Sequence, residues 1–284
     1  MMLPLPQPAC DCHVHVIGPS DRYPMLPDRQ YTPGLASVND LRAHLQRTGV
    51  ERAVIIQPSF YGTDNRCTLD ALDALSSAGR GIAVVDRGIS DKELAELNAR
   101  GMRGIRLNLE SSGDCNVQRT LDDLTYWATR LATLNWHVQV YASFPVIVQV
   151  LQALPDLPVP IVIDHFAMAP AHTQEGDPAW ATLLHALQRG SIYVKLSAPY
   201  RIGAPEPDHA LPLVRSLLAT NPDRLLWASD WPHTNRTPGK KPTQVSPFRP
   251  ISSDQLRSQI SVWLNDENTA RKVLVVNPAK LYGF

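Results

Sequence analysis

The sequence lacks the features that mark nucleic-acid-binding and membrane-bound proteins. Its 284 residues carry 27 basic and 27 acidic side chains, so the formal net charge is zero. A chain with balanced charge offers no basic surface for nucleic acid or for an anionic membrane. No uninterrupted apolar run approaches the length of a membrane span. We therefore expect a protein that binds neither nucleic acid nor membrane.

Cysteine is scarce, and the four cysteines form no disulfide framework. Cys10 and Cys12 would point the same way on one strand, which is poor geometry for a disulfide, and Cys67 and Cys115 lie far along the chain. Reduced thiols are typical of the cytoplasm. The opening Met-Met-Leu-Pro-Leu-Pro-Gln-Pro has neither the basic region nor the apolar run of a signal peptide. These absences predict a cytoplasmic location.

What is present is an alternation of short β-branched runs with longer segments of helical pattern. The predicted strands are 9–17, 52–57, 81–85, 104–107, 137–141, 161–164, 192–196 and 225–228. The predicted helices are 38–48, 67–78, 91–99, 118–134, 145–154, 178–189, 208–220 and 252–264. Such alternation implies parallel strands joined by right-handed crossovers. With no composition break, it predicts one domain over residues 1–284, an α/β fold of the (β/α)8 TIM-barrel type. A doubly wound open sheet is the alternative, but no glycine-rich phosphate loop follows a strand.

The first predicted strand contains the motif Asp11-Cys12-His13-Val14-His15. In a regular strand alternate side chains share a face, so Asp11, His13 and His15 are expected on one side and the two cysteines on the other. Two imidazoles and a carboxylate are costly to bury without partners, so this face predicts a polar site. The alternative is a pair of surface histidines on an edge strand.

Polar side chains gather at the carboxyl ends of the predicted strands, where (β/α)8 barrels carry their active sites. In strand order these residues are His13, His15, Ser59, Arg106, Tyr141, His165, Arg201 and Asp230. Chance would scatter such residues between both strand ends, so their concentration at one end predicts an enzyme. The sequence predicts surface positions for His44, His172, His185 and His209. Lys195 is expected to point away from the lumen or to hold a neighbouring carboxylate.

Together these residues resemble the amidohydrolase superfamily, of the amidohydrolase-2 type. The most similar branch is that of the lactonases related to 2-pyrone-4,6-dicarboxylate lactonase. The resemblance spans nearly the whole chain and is carried, in order, by Asp11-Cys12-His13-Val14-His15, Ile163-Asp164-His165, Val194-Lys195-Leu196 and Trp227-Ala228-Ser229-Asp230-Trp231-Pro232-His233. It implies a barrel enzyme that hydrolyses a lactone in the breakdown of aromatic or sugar acids. By position, it implies catalytic roles for His13, His15, His165 and Asp230, and substrate contacts from Arg106, Tyr141, Arg201 and Ser59.

The chain departs from the pyrone dicarboxylate enzymes at two positions. Those enzymes clamp a second carboxylate with one arginine shortly after the strand-four arginine and another just after the strand-six histidine. Here Arg106 is followed by Leu-Asn-Leu-Glu-Ser-Ser, and His165 by Phe-Ala-Met-Ala. The resemblance therefore leaves lactonase chemistry open but does not carry over the dicarboxylate substrate.

The resemblance also bears on metal binding, because many amidohydrolases hold zinc or manganese with the strand-one histidines and the strand-eight aspartate. Binuclear members use a modified lysine on strand four, where this chain has Arg106, which cannot ligate a metal. Metal-binding members end strand five with a histidine, where this chain has Tyr141. We expect that no cofactor is required. The alternative is a single zinc or manganese ion on His13, His15, His165 or Asp230.

The predicted mechanism is attack of water on a lactone carbonyl. Asp230 would be the general base, and His13, His15 and His165 would polarise the carbonyl through N–H donors. At least one imidazole would be protonated, with Asp11 or Asp164 fixing its tautomer. Arg106 and Arg201 would pair with a carboxylate of the small-molecule substrate. The oligomeric state, with a homo-oligomer as one option, stays open.

Three other functions fit the same residues. One is a metal-dependent decarboxylase of the same superfamily. Another is a sugar-acid lactonase or a lactone isomerase, favoured by the missing arginines because a sugar lactone carries hydroxyls in place of a second carboxylate. The third is an inactive barrel kept as a binding module. Whether residues 245–251 close over the site is a further open question.

Overall fold

The barrel is built from eight parallel strands that follow one another in chain order. This computed structural model describes residues 4–113 and 115–284. Its strands are β1 (Cys10–Val14), β2 (Thr32–Pro33), β3 (Arg52–Ile56), β4 (Gly79–Ala83), β5 (Met102–Asn108), β6 (His137–Tyr141), β7 (Ile161–Ile163), β8 (Ile192–Leu196), β9 (Leu225–Trp227) and β10 (Val245–Ser246). The main sheet has the order β1-β3-β4-β5-β6-β7-β8-β9, and β2 pairs with β10 outside it. The predicted (β/α)8 barrel is confirmed.

Helices connect the strands and cover the sheet. They are α1 (Val38–Thr48), α2 (Arg66–Leu75), α3 (Asp91–Ala99), α4 (Leu109–Ser112), α5 (Val117–Leu131), α6 (Phe144–Ala153), α7 (Pro178–Gln188), α8 (Leu211–Thr220), α9 (Ser253–Trp263), α10 (Glu267–Arg271) and α11 (Asn277–Tyr282). Capping boxes start α1, α3 and α9 at Ser37, Ser90 and Ser252. Within the described ranges, no helix is both long and apolar enough to cross a bilayer.

Two apolar clusters lie on the two faces of the sheet. Ala53, Ile55 and their equivalents on other strands pack beneath the helices. Cys10, Cys12, Val54, Tyr193 and Tyr282 belong to a second cluster that draws on strands all around the sheet. Only the lumen of the barrel brings those strands together, so this second cluster fills the lower interior. The expectation that the two cysteines lie on the opposite face of β1 from the motif histidines is therefore wrong.

A bulge in β1 explains that error. Asp11 pairs with Ala53 and Val14 pairs with Ile55, so three steps on β1 oppose two on β3. One extra residue lies opposite Val54, which shifts the alternation of the strand by one position. Cys12 and His13 consequently both face the interior, and His15 joins them there.

Asp11, by contrast, faces the helix layer. Its Oδ2 lies 3.4 Å from Nε2 of His44 on α1, and its Oδ1 accepts the backbone N–H groups of His13 and Ser229. The prediction that Asp11 shares a face with the two motif histidines is wrong because of the bulge. The prediction of a surface position for His44 is also wrong, since the ring is buried between Asp11 and Trp231.

The barrel closes between β1 and the residues that follow β9. The N–H of Asp230 donates to the carbonyl of His13 at 3.0 Å, and the N–H of His15 donates to the carbonyl of Trp231 at 2.8 Å. Val14 and Trp231 form an isolated parallel bridge. Closure of the sheet thus places the two motif histidines beside Asp230.

A small parallel ladder between β2 and β10 fixes the loops above this closure. Val245 pairs with Thr32, and the Thr32 hydroxyl donates to the carbonyl of Pro242 at 2.7 Å. The Tyr31 hydroxyl donates to Oγ1 of Thr234 at 3.3 Å. These contacts hold the loop after β9 against the loop that precedes α1.

Candidate active site

A cavity of about 310 Å³ opens at the carboxyl ends of the barrel strands. Its wall includes seven of the eight predicted site residues: His15, Ser59, Arg106, Tyr141, His165, Arg201 and Asp230. The eighth, His13, is fully buried directly behind the wall, with its Nε2 3.3 Å from Nε2 of His15. The remaining wall consists of Gln30, Tyr31, Pro58, Asn108, Glu110, Thr234, Asn235, Arg236 and Arg249.

Three imidazole nitrogens converge on one oxygen of Asp230. The Nε2 atoms of His13, His15 and His165 lie 3.7, 3.9 and 3.9 Å from Asp230 Oδ1. No hydrogen-bond donor among the described residues reaches this buried oxygen. A buried carboxylate oxygen without a donor is unusual and points to a ligand or a reacting group.

The other oxygen of Asp230 is fully engaged. Oδ2 accepts the Tyr200 hydroxyl at 2.6 Å and Nε and Nη2 of Arg201 at 2.9 and 2.8 Å. Burial disfavours the charged carboxylate. The charge of Arg201 outweighs burial and holds the pKa of Asp230 well below its ordinary value. Asp230 is therefore ionised at neutral pH, with Oδ1 as its accepting atom.

The three imidazoles are neutral at neutral pH. Burial, ahead of the neighbouring charges, lowers the pKa of His15 to about 4 and that of His165 to about 3, and it moves the pKa of His13 well below its ordinary value. These directions disagree with the expectation of a protonated imidazole. The tautomer of His15 is defined, because its Nδ1 lies 2.8 Å from the Ile56 carbonyl, which can only accept a proton.

Beneath His13 lies a buried network centred on Lys195. Its Nζ is 2.8 Å from Oε1 of Gln139, 3.2 Å from Nδ1 of His13 and 3.2 Å from Oδ1 of Asp164. Oδ1 of Asp164 lies 3.3 Å from the same Nδ1 but forms no hydrogen bond among the described residues. An ammonium can only donate, so Lys195 presents a proton to Nδ1 and favours the proton of His13 on Nε2. Of the two functions expected for Lys195, the structure shows the second, a contact with a neighbouring carboxylate.

The Arg106 side chain is fixed by Asp164 and Tyr141 at the wall of the cavity. Its Nη2 donates to Oδ2 of Asp164 at 3.2 Å, and its Cζ lies 5.2 Å from the centre of the Tyr141 ring. Its Nε is buried, with no hydrogen-bond partner among the described residues. A cationic donor left unpaired on a cavity wall matches the predicted contact with a substrate anion.

Strained backbone occurs at His165, at the three residues that follow it, and at Asp230. His165, Phe166, Ala167 and Met168 all have φ between 50° and 57°, and Asp230 has a φ of 62°. Non-glycine residues in this left-handed region cost about 1 kcal/mol or more each, and such strain clusters at functional sites. His165 is further oriented by a hydrogen bond of 2.8 Å between its Nδ1 and Oγ of Ser197.

The residues are also able to hold a metal ion. His13, His15 and Asp230 form one group whose ligand atoms lie within 4.8 Å of one another, and His13, Asp164 and His165 form another. Imidazole nitrogen and carboxylate oxygen suit zinc and manganese. The donor-free Oδ1 of Asp230 fits such an ion.

Sequence reasoning missed Tyr200 and the place of Gln139 in the network under His13. Tyr200 precedes the predicted Arg201 directly, and a short 3-10 helix over Pro199–Ile202 turns both side chains toward Asp230. A lone tyrosine in a proline-containing loop gives no sequence signal for such a contact. Gln139 alternates with the predicted Tyr141 on β6, and this register could have identified it.

Comparisons with known proteins agree on one family. The family model described as Amidohydrolase matches residues 10–284. A 2-pyrone-4,6-dicarboxylate hydrolase from Comamonas testosteroni is 33% identical over 247 residues, which cover 81% of this chain and 79% of that protein. A 4-sulfomuconolactone hydrolase from Hydrogenophaga intermedia is 29% identical, with 98% and 90% of the two chains covered.

Two further similar proteins extend the range of named activities. A D-galactarolactone isomerase from Agrobacterium fabrum is 26% identical over 98% of this chain and 91% of its own. The crystal structure of a probable 2-pyrone-4,6-dicarboxylic acid hydrolase from Acinetobacter baumannii, with citric acid bound, superposes with a TM-score of 0.82. It is 28% identical, and 98% of this chain and 100% of that one are covered.

Proposed function

This chain belongs to the amidohydrolase family, and from that premise we propose that it is a hydrolase that opens the ring of a carboxylate-bearing lactone. The observation that carries the proposal is the state of Asp230: ionised, bound through Oδ2, and donor-free at Oδ1 among the described residues. A general base needs such an atom. The named lactone hydrolases among its relatives support the same reaction.

Asp230 begins the reaction. Oδ1 takes a proton from a water molecule while the water oxygen bonds to the lactone carbonyl carbon. The carbonyl electron pair moves onto oxygen and forms a tetrahedral oxyanion. The ring C–O bond then breaks, and the proton on Asp230 passes to the leaving ring oxygen, which regenerates the carboxylate. A base of this kind contributes about 10²–10⁴-fold in rate.

Two of the three imidazoles, those of His13 and His165, stabilise the oxyanion. His13 donates from Nε2, because Lys195 occupies its Nδ1. His165 donates from Nε2 when the Ser197 hydroxyl bonds to its Nδ1. His15, whose Nδ1 proton goes to Ile56, keeps its lone pair on Nε2 and supplies no donor to the oxyanion. Before the oxyanion forms, this lone pair accepts the Nε2 proton of His13. Each oxyanion donor is worth on the order of 10²–10³ in rate.

The arginines select the substrate. Arg106 and Arg201 line the cavity that contains Asp230, and Nε of Arg106 has no hydrogen-bond partner among the described residues. A guanidinium binds a carboxylate with two parallel hydrogen bonds, so a lactone carrying a carboxylate near the ester fits this wall. Tyr141 and Ser59 line the same wall and supply hydroxyl groups for orientation.

These steps use side chains alone, and we propose that the reaction requires no metal. A zinc or manganese ion held by His13, His15 and Asp230, with His165 beside them, would polarise the carbonyl and acidify a bound water. The contact of Lys195 with Nδ1 of His13 disfavours that alternative, because it favours a proton on the nitrogen that would bind the ion.

The test is a lactone panel run in water enriched in oxygen-18. The panel contains pyrone carboxylates, muconolactones and sugar-acid lactones. Hydrolysis places one labelled oxygen in the new carboxylate, whereas an isomerase leaves the product unlabelled, and a decarboxylase releases carbon dioxide. We expect labelled product, and a loss of about 10²–10⁴-fold in kcat on Asp230→Asn. The exposed Asp223→Asn is the matched control. Unlabelled product, or an unimpaired Asp230→Asn variant, would contradict the proposal.

A further inference from the structure

We propose that Asp11 is a positioning residue for the reaction. Its carboxylate, itself oriented by His44, fixes His13 and Asp230 relative to each other where the barrel closes. The inference rests on the proposed function, which makes those two residues catalytic. Asp11 faces the helix layer instead of the cavity, so it acts through the backbone of its neighbours.

One oxygen of Asp11 connects the two catalytic segments. Oδ1 accepts the backbone N–H of His13 at 3.2 Å, within the bulge of β1, and the backbone N–H of Ser229 at 2.9 Å. Ser229 directly precedes Asp230. In the part of the chain that the structure describes, no ladder joins β1 to β9. The carboxylate therefore supplies a cross-link here that a ladder supplies between the other strands.

The same contact restrains the strained backbone of Asp230, whose φ is 62°. On one side of Asp230, Asp11 binds the N–H of Ser229. On the other side, Oγ of Ser229 accepts the N–H of Trp231 at 2.9 Å, and the N–H of Asp230 itself donates to the His13 carbonyl at 3.0 Å. Such strain persists only where surrounding contacts over-determine it. Loss of the Asp11 carboxylate should let this backbone relax and change the 3.7 Å separation between Nε2 of His13 and Oδ1 of Asp230.

His44 orients the carboxylate. Its Nε2 lies 3.4 Å from Oδ2 of Asp11, and both side chains are buried. A carboxylate only accepts, so the proton of this contact lies on Nε2 of His44. The His44 ring also stacks on Trp231, with ring centres 5.5 Å apart and planes 27° from parallel. The imidazole that Asp11 contacts is thus His44, and not one of the three whose tautomer it was expected to fix.

The loss of this positioning should appear in kcat more than in KM. The water must lie within hydrogen-bond reach of Asp230 while His13 reaches the developing oxyanion. A displacement of about 1 Å at a reacting group can cost about 10²-fold in rate. The proposed substrate contacts of Arg106 and Tyr141 come from β5 and β6, on the far side of the barrel from this closure.

The first test compares Asp11→Ala with Asp11→Asn in steady-state lactone hydrolysis. Asparagine keeps an oxygen that accepts both backbone N–H groups, whereas alanine does not. We expect Asp11→Ala to lower kcat about 10²-fold with KM nearly unchanged. Asp11→Asn should keep kcat within about tenfold of wild type. An unimpaired Asp11→Ala, or an Asp11→Asn as impaired as Asp11→Ala, would overturn the inference.

Asp40→Ala is the control for a merely structural effect. It removes the exposed carboxylate of the capping box that starts α1, the helix that carries His44. It should lower the unfolding midpoint and leave kcat as in wild type. A loss of kcat in Asp40→Ala as large as that in Asp11→Ala would show that destabilisation alone explains the effect, and the inference would fail.

The second test uses a pair of variants at His44, and it decides alone if Asp11→Ala does not fold. His44→Phe keeps a ring against Trp231 but has no donor for Asp11, whereas His44→Gln keeps a donor. We expect His44→Phe to lower kcat about tenfold and His44→Gln to be less impaired. The double variant Asp11→Asn/His44→Phe should be no slower than the slower single variant, because both changes remove one contact. Additive losses, or an unimpaired His44→Phe, would refute the proposed orientation by His44.

A third measurement needs no turnover and separates this inference from the lactonase proposal. Histidine labelled with nitrogen-15 reports each imidazole in proton–nitrogen correlation spectra, with the His13 signals assigned through His13→Gln. The ring signals of His13 should shift in Asp11→Ala and stay in place in Asp11→Asn and Asp40→Ala. If wild type hydrolyses no lactone, the lactonase proposal fails while these spectra still decide the positioning. Unshifted His13 signals in Asp11→Ala would refute it.

Discussion

Arg201 binds only one of the two carboxylate oxygens of Asp230. Both Nε and Nη2 of the guanidinium contact Oδ2, at 2.9 and 2.8 Å, and no donor among the described residues reaches Oδ1. One side chain therefore keeps the carboxylate charged while leaving its second oxygen available. Oδ2 of Asp230 thus makes the structural contacts, and Oδ1 is the atom proposed to accept the proton.

Tyr200→Phe tests how far the third donor to Oδ2 tunes the base. The hydroxyl lies 2.6 Å from Oδ2 and stabilises the charged form, so its loss should raise the pKa of Asp230. We expect the acid limb of the kcat/KM profile to move to higher pH and the plateau to fall about tenfold. The profile should stay in place in Tyr126→Phe, which removes a hydroxyl bonded to the Arg87 carbonyl outside the site. A Tyr200→Phe profile identical to that of wild type would exclude such tuning.

Arg106→Lys tests the inner anion contact. Lysine keeps the charge beside Asp164 but lacks the planar fork that binds a carboxylate through two hydrogen bonds. We expect KM for a carboxylate-bearing lactone to rise about tenfold and KM for its methyl ester to change little. The comparison variant is Arg103→Lys on the same strand, where the guanidinium binds Asn98 instead of facing the cavity. Equal effects on acid and ester would show that Arg106 is only structural.

His137 links stability to pH. It is buried on β6 below the site, its ring lies 5.3 Å from that of Tyr282, and burial, with a smaller contribution from Lys195, lowers its pKa to about 3. The unfolded chain takes up this proton near pH 6.5 and the folded chain does not. The stability contribution is therefore complete above pH 6.5 and is lost as pH falls toward 3.

The measurement is urea unfolding between pH 6.5 and 4. His137→Leu should reduce the slope of unfolding free energy by up to about 1.4 kcal/mol per pH unit, the value for one proton. His185→Gln changes an exposed histidine on α7 and should leave the slope as in wild type. The assignment fails if both variants keep the wild-type slope.

Metal removal tests whether side chains suffice. We expect turnover to survive dialysis against a chelator, because Lys195 lies 3.2 Å from Nδ1 of His13 and favours the proton on the nitrogen that would bind an ion. Metal content is measured by elemental analysis before and after dialysis, alongside activity. Lys195→Met should bind zinc more tightly than wild type in calorimetry. Loss of activity on dialysis, restored by one equivalent of zinc or manganese, would assign the chemistry to a metal site.

The sequence was sufficient for the barrel and for eight polar residues at its carboxyl end, but it missed Tyr200. Strand–helix alternation and the order of polar strand ends depend on local pattern, so His165 and Asp230 could be assigned to one end of the barrel in advance. The orientation of β1 could not be obtained in this way. A bulge adds one residue to a strand without a sequence signal, and it reversed the expected positions of Asp11 and Cys12.

The contacts of loop residues were equally beyond local reasoning. Tyr200 reaches Asp230 because Ala198 adopts a left-handed conformation before a short helical turn. Arg249 lines the cavity because its loop pairs with a distant strand, β2. Both depend on tertiary contacts across the barrel mouth, which spacing along the chain does not encode.

The barrel closes, between β1 and the residues after β9, at the same place as its candidate active site. Among the described residues, β1 meets the residues after β9 through one isolated bridge and a few hydrogen bonds, and one of those bonds joins the backbones of His13 and Asp230. A junction with so few links is expected to open before the rest of the wall. Mild denaturant should therefore abolish turnover while most of the circular dichroism signal persists. A ligand that binds tightly across this junction should raise the denaturant concentration at which turnover is lost.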